Sequence, residues 1–165
     1  MGKLIRESTE HQDIIKECFL EGKLIPVQLA FDILKAYLDN LGEDIKLVIL
    51  DGYPRSRRCF NTWRSNNMPW PTLILHYKCS YDTLLSRLHV RSGAEKRIDD
   101  TVDIFRKRYR GYVEETLELL SFLESLDDDE APPCKSIDAD RLLPEVLNKI
   151  HYYLCRYELC GCLTL

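Results

Sequence analysis

The sequence predicts an α/β fold with a parallel sheet. Two apolar runs, Leu47–Leu50 and Thr72–Tyr77, and the short segment Lys135–Asp138 have strand length. Stretches with helical apolar spacing separate them. Turn residues such as Asn40-Leu-Gly42, Gly52 with Pro54, and Asn66-Asn-Met-Pro-Trp-Pro71 bound the pieces.

Each element has its own signal. Ile14, Ile15, Cys18 and Phe19 form one stripe of a helix over 8–20, with Gly22 placed as its C′ residue. Pro26 opens a second helix at N1, whose stripe is Leu29, Ala30, Ile33, Leu34, Tyr37 and Leu38. Four apolar residues in a row at 47–50 read as a strand buried on both faces. A short helix from Arg55 to about Ser65 puts Phe60 and Trp63 on one side. Ser80 or Asp82 caps a helix reaching about Val90, and Ser92 to Lys96 is a polar loop. Asp99 or Asp100 opens a long helix with Val102, Phe105, Tyr109, Tyr112, Leu119 and Leu123 on its inner face. Gly111 weakens that helix by roughly 1 kcal/mol relative to alanine. An acidic loop follows, Asp127 to Glu130 with Pro132-Pro133, and Asp140 caps a last helix from Leu142 to about Cys155.

The chain of 165 residues is long enough for one domain with a real core. Its net charge of −4 argues against a general nucleic-acid binder. The arginines crowd between Arg55 and Arg110, and a local basic cleft on an acidic protein suits small anions. No run has membrane-spanning length and no N-terminal signal pattern is present. Seven irregularly spaced cysteines do not form a disulfide framework, so reduced thiols and a cytoplasmic location are expected.

The chemistry concentrates at two places. At the carboxyl end of the strand expected at 47–50 stand Asp51 and, past Gly52 and Pro54, Arg55. Ligands bind at such strand ends in open α/β sheets. There Asp51 can hold a magnesium ion through water and Arg55 can grip a phosphate bidentately. Further on, Arg87 and Arg91 share one helix face, Arg97 precedes Asp99-Asp100, and Arg108 follows one to two turns later. Guanidinium groups brought together repel unless carboxylates or a polyphosphate lie between them. For each arginine alone, a solvated surface role is the commoner outcome. His11, His76, His89 and His151 receive no catalytic role.

Taken in order, Gly22-Lys-Leu-Ile-Pro26, Asp51-Gly-Tyr-Pro-Arg55, Arg87-xxx-Arg91, Arg97-Ile-Asp-Asp100 and Arg108 make the chain resemble the nucleoside monophosphate kinases, adenylate kinase and UMP-CMP kinase among them. The resemblance runs from about Leu4 to Leu154. It implies a three-layer P-loop kinase-type parallel sheet flanked by helices. It also implies a kinase-like domain over 1–155, with a short lid at about 91–100, and a cysteine-containing tail at 156–165.

The implied activity is transfer of a phosphoryl group from ATP to AMP, UMP or CMP by a monomer, with magnesium held by Asp51. The resemblance puts Arg6, Arg55 and the backbone near Ile25 on the acceptor nucleotide, and Arg87 against the donor. It puts Arg91, Arg97 and Arg108 around the transferred group, oriented by Asp99 and Asp100. Cys59 stands where the family commonly has a base-reading glutamine or asparagine, so the acceptor base stays open. Trp63 stands where UMP-CMP kinases often have a tryptophan.

The family's glycine-rich G-x-x-x-x-G-K loop is not present in the sequence. Met1-Gly-Lys-Leu-Ile-Arg6 aligns with a segment that follows it, so the family's first two strands and first helix are expected to be missing. A fragment or gene-model start, a genuine non-catalytic short form that binds nucleotide, and completion by a partner subunit are the alternatives. At the other end, Cys162-Leu-Thr-Leu165 fits the C-a-a-X prenylation pattern, with Cys160 as a second lipid position. Membrane contact is expected only if Cys162 is prenylated. A loose reduced tail, or adventitious metal binding by the C-x-C pair, is the alternative.

Overall fold

A computed structural model describes residues 1–94, 99–127 and 131–162. Eight α-helices are described: α1 Gly2–Glu7, α2 Gln12–Glu21, α3 Val27–Asp39, α4 Arg57–Ser65, α5 Tyr81–Ala94, α6 Val102–Gly111, α7 Leu117–Glu124 and α8 Leu143–Arg156. Two strands, β1 Ile74–Lys78 and β2 Cys134–Asp138, pair in parallel from Ile74 opposite Cys134 to Lys78 opposite Asp138. The α/β class is therefore observed, as a small parallel sheet flanked by helices. Parallel neighbours need a long crossover, and α5 to α7 supply it.

Local chemistry explains most boundaries. Gly22 ends α2 in the left-handed region at φ 68, and an added Cβ would stand 3.2 Å from the Ile104 carbonyl oxygen. Ser56 caps α4, its hydroxyl oxygen accepting from the Cys59 N–H at 3.2 Å. Ser80 holds the Thr83 N–H at 3.3 Å just before α5. α6 is capped by Thr101, which accepts from the Ile104 N–H, and not by Asp99 or Asp100. Those two carboxylates are engaged by arginines instead. Asp140 likewise does not cap α8. Its carboxylate takes the Ser80 N–H at 3.0 Å and the Ser80 hydroxyl at 2.9 Å, tying the end of β2 to the start of α5.

Two small cores form. One packs Leu34, Tyr53 and Cys59 with Leu4, Leu50 and Trp63 around them; the other packs Phe60, Leu119 and Leu123 against Ile74 and Phe122. Phe31 is buried at 1% exposure on α3, whereas Tyr37, expected on the same stripe, is exposed.

Two further expectations are corrected. Leu47–Leu50 forms no strand, and Val48 and Ile49 are exposed at 42% and 71%. A buried strand requires ladder partners on its edges, which a run of apolar residues cannot supply for itself. β1 and β2 pair with each other and not with this segment. The expectation of reduced thiols throughout fails at one pair: Cys155 and Cys160 are disulfide-bonded, with Cα atoms 5.0 Å apart. The left-handed Glu158, at φ 59, reverses the chain after α8 and brings them together.

The long helix expected from residue 99 onward is interrupted. After Gly111 the backbone makes one π-helical turn, Tyr112–Thr116, before α7 resumes. Such turns insert a residue into the helical ladder and re-aim the side chains on it. Among the described residues, no helix is long and apolar enough to cross a membrane.

Candidate functional site

The segment Asp51 to Ser56 is positioned from both sides. Gly52 takes φ 74, which an L-residue rarely adopts, and Tyr53–Pro54 is a cis peptide bond. Arg55 then folds back over Gly52: its Nε donates to the Gly52 carbonyl oxygen at 2.9 Å. A Cβ at position 52 would stand 2.8 Å from Arg55 Nη2, so glycine serves both the turn and the close approach. From the other side, the Thr116 hydroxyl on the π-turn donates to the Arg55 carbonyl oxygen at 2.8 Å. Ser56, buried at 2% exposure, starts α4 and so fixes Cys59 one turn later.

Two adjoining cavities meet at Arg55. The smaller, about 60 Å³, is mainly apolar and is lined by Ile5, Phe19, Ile25, Ala30, Tyr53 and Cys59, among others. The larger, about 720 Å³, is an open cleft between the Gly22–Leu24 corner, the Gly52–Arg55 turn and the stretch from Lys107 to Thr116. Lys23, Leu24, Gly52 and Arg55 line both. The cleft carries Lys23, Arg55, Lys107, Arg108 and Arg110 against Glu21, Glu114 and Glu115. Its balance is positive although the chain is acidic overall. A bound anion is the favourable complement of such a wall.

Arg55 reaches solvent at the cleft, yet protein atoms crowd its guanidinium. That desolvation, followed by repulsion from Arg108 and Arg6, lowers its pKa, while Asp51 opposes the shift. The group stays charged at any working pH. Among the described residues no carboxylate lies within salt-bridge distance of it. Burial pushes the Tyr53 phenol up, and its hydroxyl donates to the Cys59 carbonyl oxygen at 3.3 Å.

A second constellation joins the end of α5 to the start of α6. Asp99 and Asp100 are both buried, at 3% and 7% exposure. Arg108 Nη2 pairs with Asp99 Oδ2. Arg91 engages Asp100 through two donors, Nε to Oδ2 at 3.2 Å and Nη2 to Oδ1. The hydrogen bond to Asp100 raises the Arg91 pKa. Bidentate arginine–carboxylate pairing of this kind fixes the guanidinium plane as well as its position. Two buried carboxylates thus hold two guanidinium groups.

The sequence-predicted residues fall into three groups. Arg55 and Arg108 line the large cleft, and Ile25, Cys59 and Arg55 line the small pocket. Arg6 stacks over the Phe19 ring at 5.4 Å and is close enough to Arg55 to affect its pKa, as is Asp51. Arg87 and Arg91 do not line the cleft. Arg87 donates instead to the Ala139 carbonyl oxygen at 2.7 Å, just past β2. Arg97 lies outside the described residues, and so does most of the C-a-a-X pattern that begins at Cys162.

Sequence reasoning missed Lys23, Lys107 and Arg110 as cleft residues, and the π-turn residues from Tyr112 to Thr116. Gly22-Lys23 and the basic run Arg106-Lys-Arg108-Tyr-Arg110 were the available signals. Magnesium is a hard cation, and commonly uses one or two carboxylates plus substrate phosphates. Asp51, an exposed carboxylate beside Arg55, fits that donor chemistry.

No family model matches the chain. Individual relatives do. It is 27% identical to the probable UMP-CMP kinase 1 of Arabidopsis thaliana over 121 residues, which is 73% of this chain and 57% of that protein. It is 23% identical to the UMP-CMP kinase of Homo sapiens over 159 residues, covering 90% of this chain and 79% of the relative. The adenylate kinase isoenzyme 5 of Homo sapiens is 29% identical over 129 residues, 75% of this chain and 23% of that longer protein. The chain thus spans little more than half the length of the Arabidopsis relative. The arginine–aspartate motifs in sequence order, and these relatives covering most of its length, make the chain similar to the nucleoside monophosphate kinases.

Proposed function

We propose that the chain binds a nucleoside monophosphate across the two cavities and takes part in phosphoryl transfer to it from ATP. One observation carries this reading: a small apolar pocket and a large basic cleft share the Arg55 wall. A nucleoside monophosphate has the same duality, a flat base at one end and a phosphate dianion at the other. The base would enter between Ile25 and Cys59, and the phosphate would meet Arg55, with Arg6 close by. Cys59 is a weak hydrogen-bonding partner, so base choice falls to backbone groups near Ile25. AMP, UMP and CMP all remain acceptor candidates.

Phosphoryl transfer needs positioning and charge neutralisation more than covalent chemistry. Arg55 orients the acceptor. Arg108, on the cleft wall and anchored by Asp99, faces where negative charge develops. Arg91, anchored by Asp100, and Arg97 complete the arginine set by family resemblance, with Arg87 toward the donor. Magnesium, bound with ATP near Asp51, would neutralise phosphate charge. No histidine is needed as a base.

Calorimetry with AMP, UMP, CMP and dTMP, together with a coupled ADP-release assay, tests the reading. At least one monophosphate should bind, and Arg55→Ala should weaken that binding by roughly one to two decades, as loss of a charge-assisted hydrogen bond does. Failure of all four to bind a folded preparation would overturn it. A second reading is nucleotide binding without transfer. Binding accompanied by turnover excludes that second reading.

A further inference from the structure

A different group of side chains gathers at the end of α8. His151 and Cys155 are four residues apart and share one helix face. The chain reverses there: the Glu158 N–H donates to the Cys155 carbonyl oxygen at 3.1 Å, and the Leu159 N–H to that of Leu154 at 2.8 Å. The short 3-10 turn Cys160–Cys162 follows, and it returns Cys160 to the same place. Cys155 Sγ lies 3.5 Å from His151 Nε2, and Cys160 Sγ lies 4.0 Å from His151 Nδ1. The three ligand atoms are all within 4.8 Å of one another. Among the described residues no second group of three His, Cys, Asp or Glu side chains meets that criterion.

These are the donors a soft or borderline cation prefers. Zinc binds thiolate sulfur at about 2.3 Å and imidazole nitrogen at about 2.0–2.1 Å in a tetrahedron, which sets neighbouring donors roughly 3.5–3.8 Å apart. The His151–Cys155 separation already has that value. Once the disulfide is opened, the Cys155 and Cys160 side chains are free to rotate about χ1, and the ligand atoms already lie within 4.8 Å of one another. Magnesium and calcium select oxygen ligands, so this set discriminates against them. His151 and Cys155 are exposed and Cys160 is partly so, which leaves an entry path. None of the three lines the basic cleft, so the site stands independently of the phosphotransfer reading.

We propose that His151, Cys155 and Cys160 form a binding site for one thiophilic divalent cation of the zinc class in the dithiol form of the protein. The Cys155–Cys160 disulfide is the alternative, metal-free state of the same residues, because it consumes both thiolates. A disulfide oxidant interconverts them: two protein thiols and one oxidised glutathione give the protein disulfide and two reduced glutathiones. Metal binding displaces the two thiol protons, so affinity rises with pH.

Cobalt(II) titration of the full chain is the test, followed by absorbance. The phosphine-reduced protein should take up one equivalent and show thiolate-to-cobalt charge-transfer bands with tetrahedral d–d bands, and zinc should bleach both. Protein oxidised with glutathione disulfide should show neither. Cys155→Ser and Cys160→Ser should each lose charge-transfer intensity and weaken binding. His151→Ala should weaken it by at least the roughly 10–100-fold that changes behind a ligand cost. Cys18→Ser and Cys79→Ser should leave the bands intact. Circular dichroism of each variant should match the parent, since the site caps an exposed helix end. A reduced parent without tetrahedral bands overturns the proposal. So do bands that persist in the Cys155→Ser/Cys160→Ser double variant, which would be adventitious metal only.

Discussion

Asp99→Asn isolates what the buried carboxylates do. The substitution keeps the shape of a side chain that is 3% exposed and removes only its charge. Arg108 then loses its ion-pair partner. Breaking a fully buried pair from one side costs about 3–5 kcal/mol. The Arg108 side chain keeps 35% of its exposure, so water screens the orphaned charge. The expected loss falls to about 1–3 kcal/mol. For a chain of this length each kcal/mol moves the melting temperature by about 2–4 °C, which gives a drop of about 2–12 °C. Urea unfolding at neutral pH, read by tryptophan fluorescence, should show a lower midpoint with an unchanged slope. Combining Asp99→Asn with Arg108→Met should recover at least about 0.5 kcal/mol relative to additivity, because the two groups touch. If Asp99→Asn unfolds at the parental midpoint, the pair does not anchor Arg108, and the claim that Asp99 positions it fails.

Three further outcomes are expected. Ser56→Ala should destabilise by about 0.5–2 kcal/mol, the usual cost of a lost N-cap; a thermal melt within error of the parent would deny the cap its role. The Asp140 carboxylate, held down to about 2 by hydrogen bonds from Thr83 and Ser80, should make its contribution above the ordinary carboxylate value near 3.8 and lose it as pH falls toward 2. The melting difference between parent and Asp140→Asn should therefore be level at neutral pH and shrink on acidification. His76 meets the Tyr112 hydroxyl at 2.8 Å, and burial, then Lys78, lowers its pKa from 6.5. Charging it then favours the unfolded chain, so stability falls as pH drops below about 6.5. His76→Leu should flatten that slope, and a His76 NMR titration midpoint at or above 6.5 would contradict the sign.

Elements whose cause is local were legible. Gly22 as a helix stop, Pro26 at a helix start, and the strand runs at Thr72–Tyr77 and Lys135–Asp138 carry their own signals. The structure places elements there with small shifts of boundary. What failed depends on distant partners. Leu47–Leu50 has the composition of a buried strand, but composition cannot supply the neighbouring strand that would pair it. Asp140 looks like a helix cap until β2 delivers it to the Ser80 N–H. The π-turn after Gly111 has no period of its own in the sequence, so the contact between Thr116 and Arg55 was invisible. At the site, Arg55 could be picked out from the strand-end motif, and Ile25 and Cys59 only through the family resemblance. Lys23, Lys107 and Arg110 looked like ordinary solvated bases until the fold turned them toward one cleft.

The parallel pairing of β1 with β2 also sets an order of events in folding. It joins positions about sixty residues apart in the chain. Closing a loop of that length costs on the order of 3–4 kcal/mol of chain entropy before the first ladder bond forms. The loop holds α5, α6, the π-turn and α7, and compacting these first shortens the span left to close. The ladder is therefore expected to arrive after the helices it encloses, as non-local pairing generally does. Pulse-labelling hydrogen exchange should protect amides of α6 before those of Leu75 to Tyr77. Trp63 lies outside that loop, against Tyr53 at 5.9 Å. Its fluorescence should report the packing of α3 and α4 while the two strands are still apart.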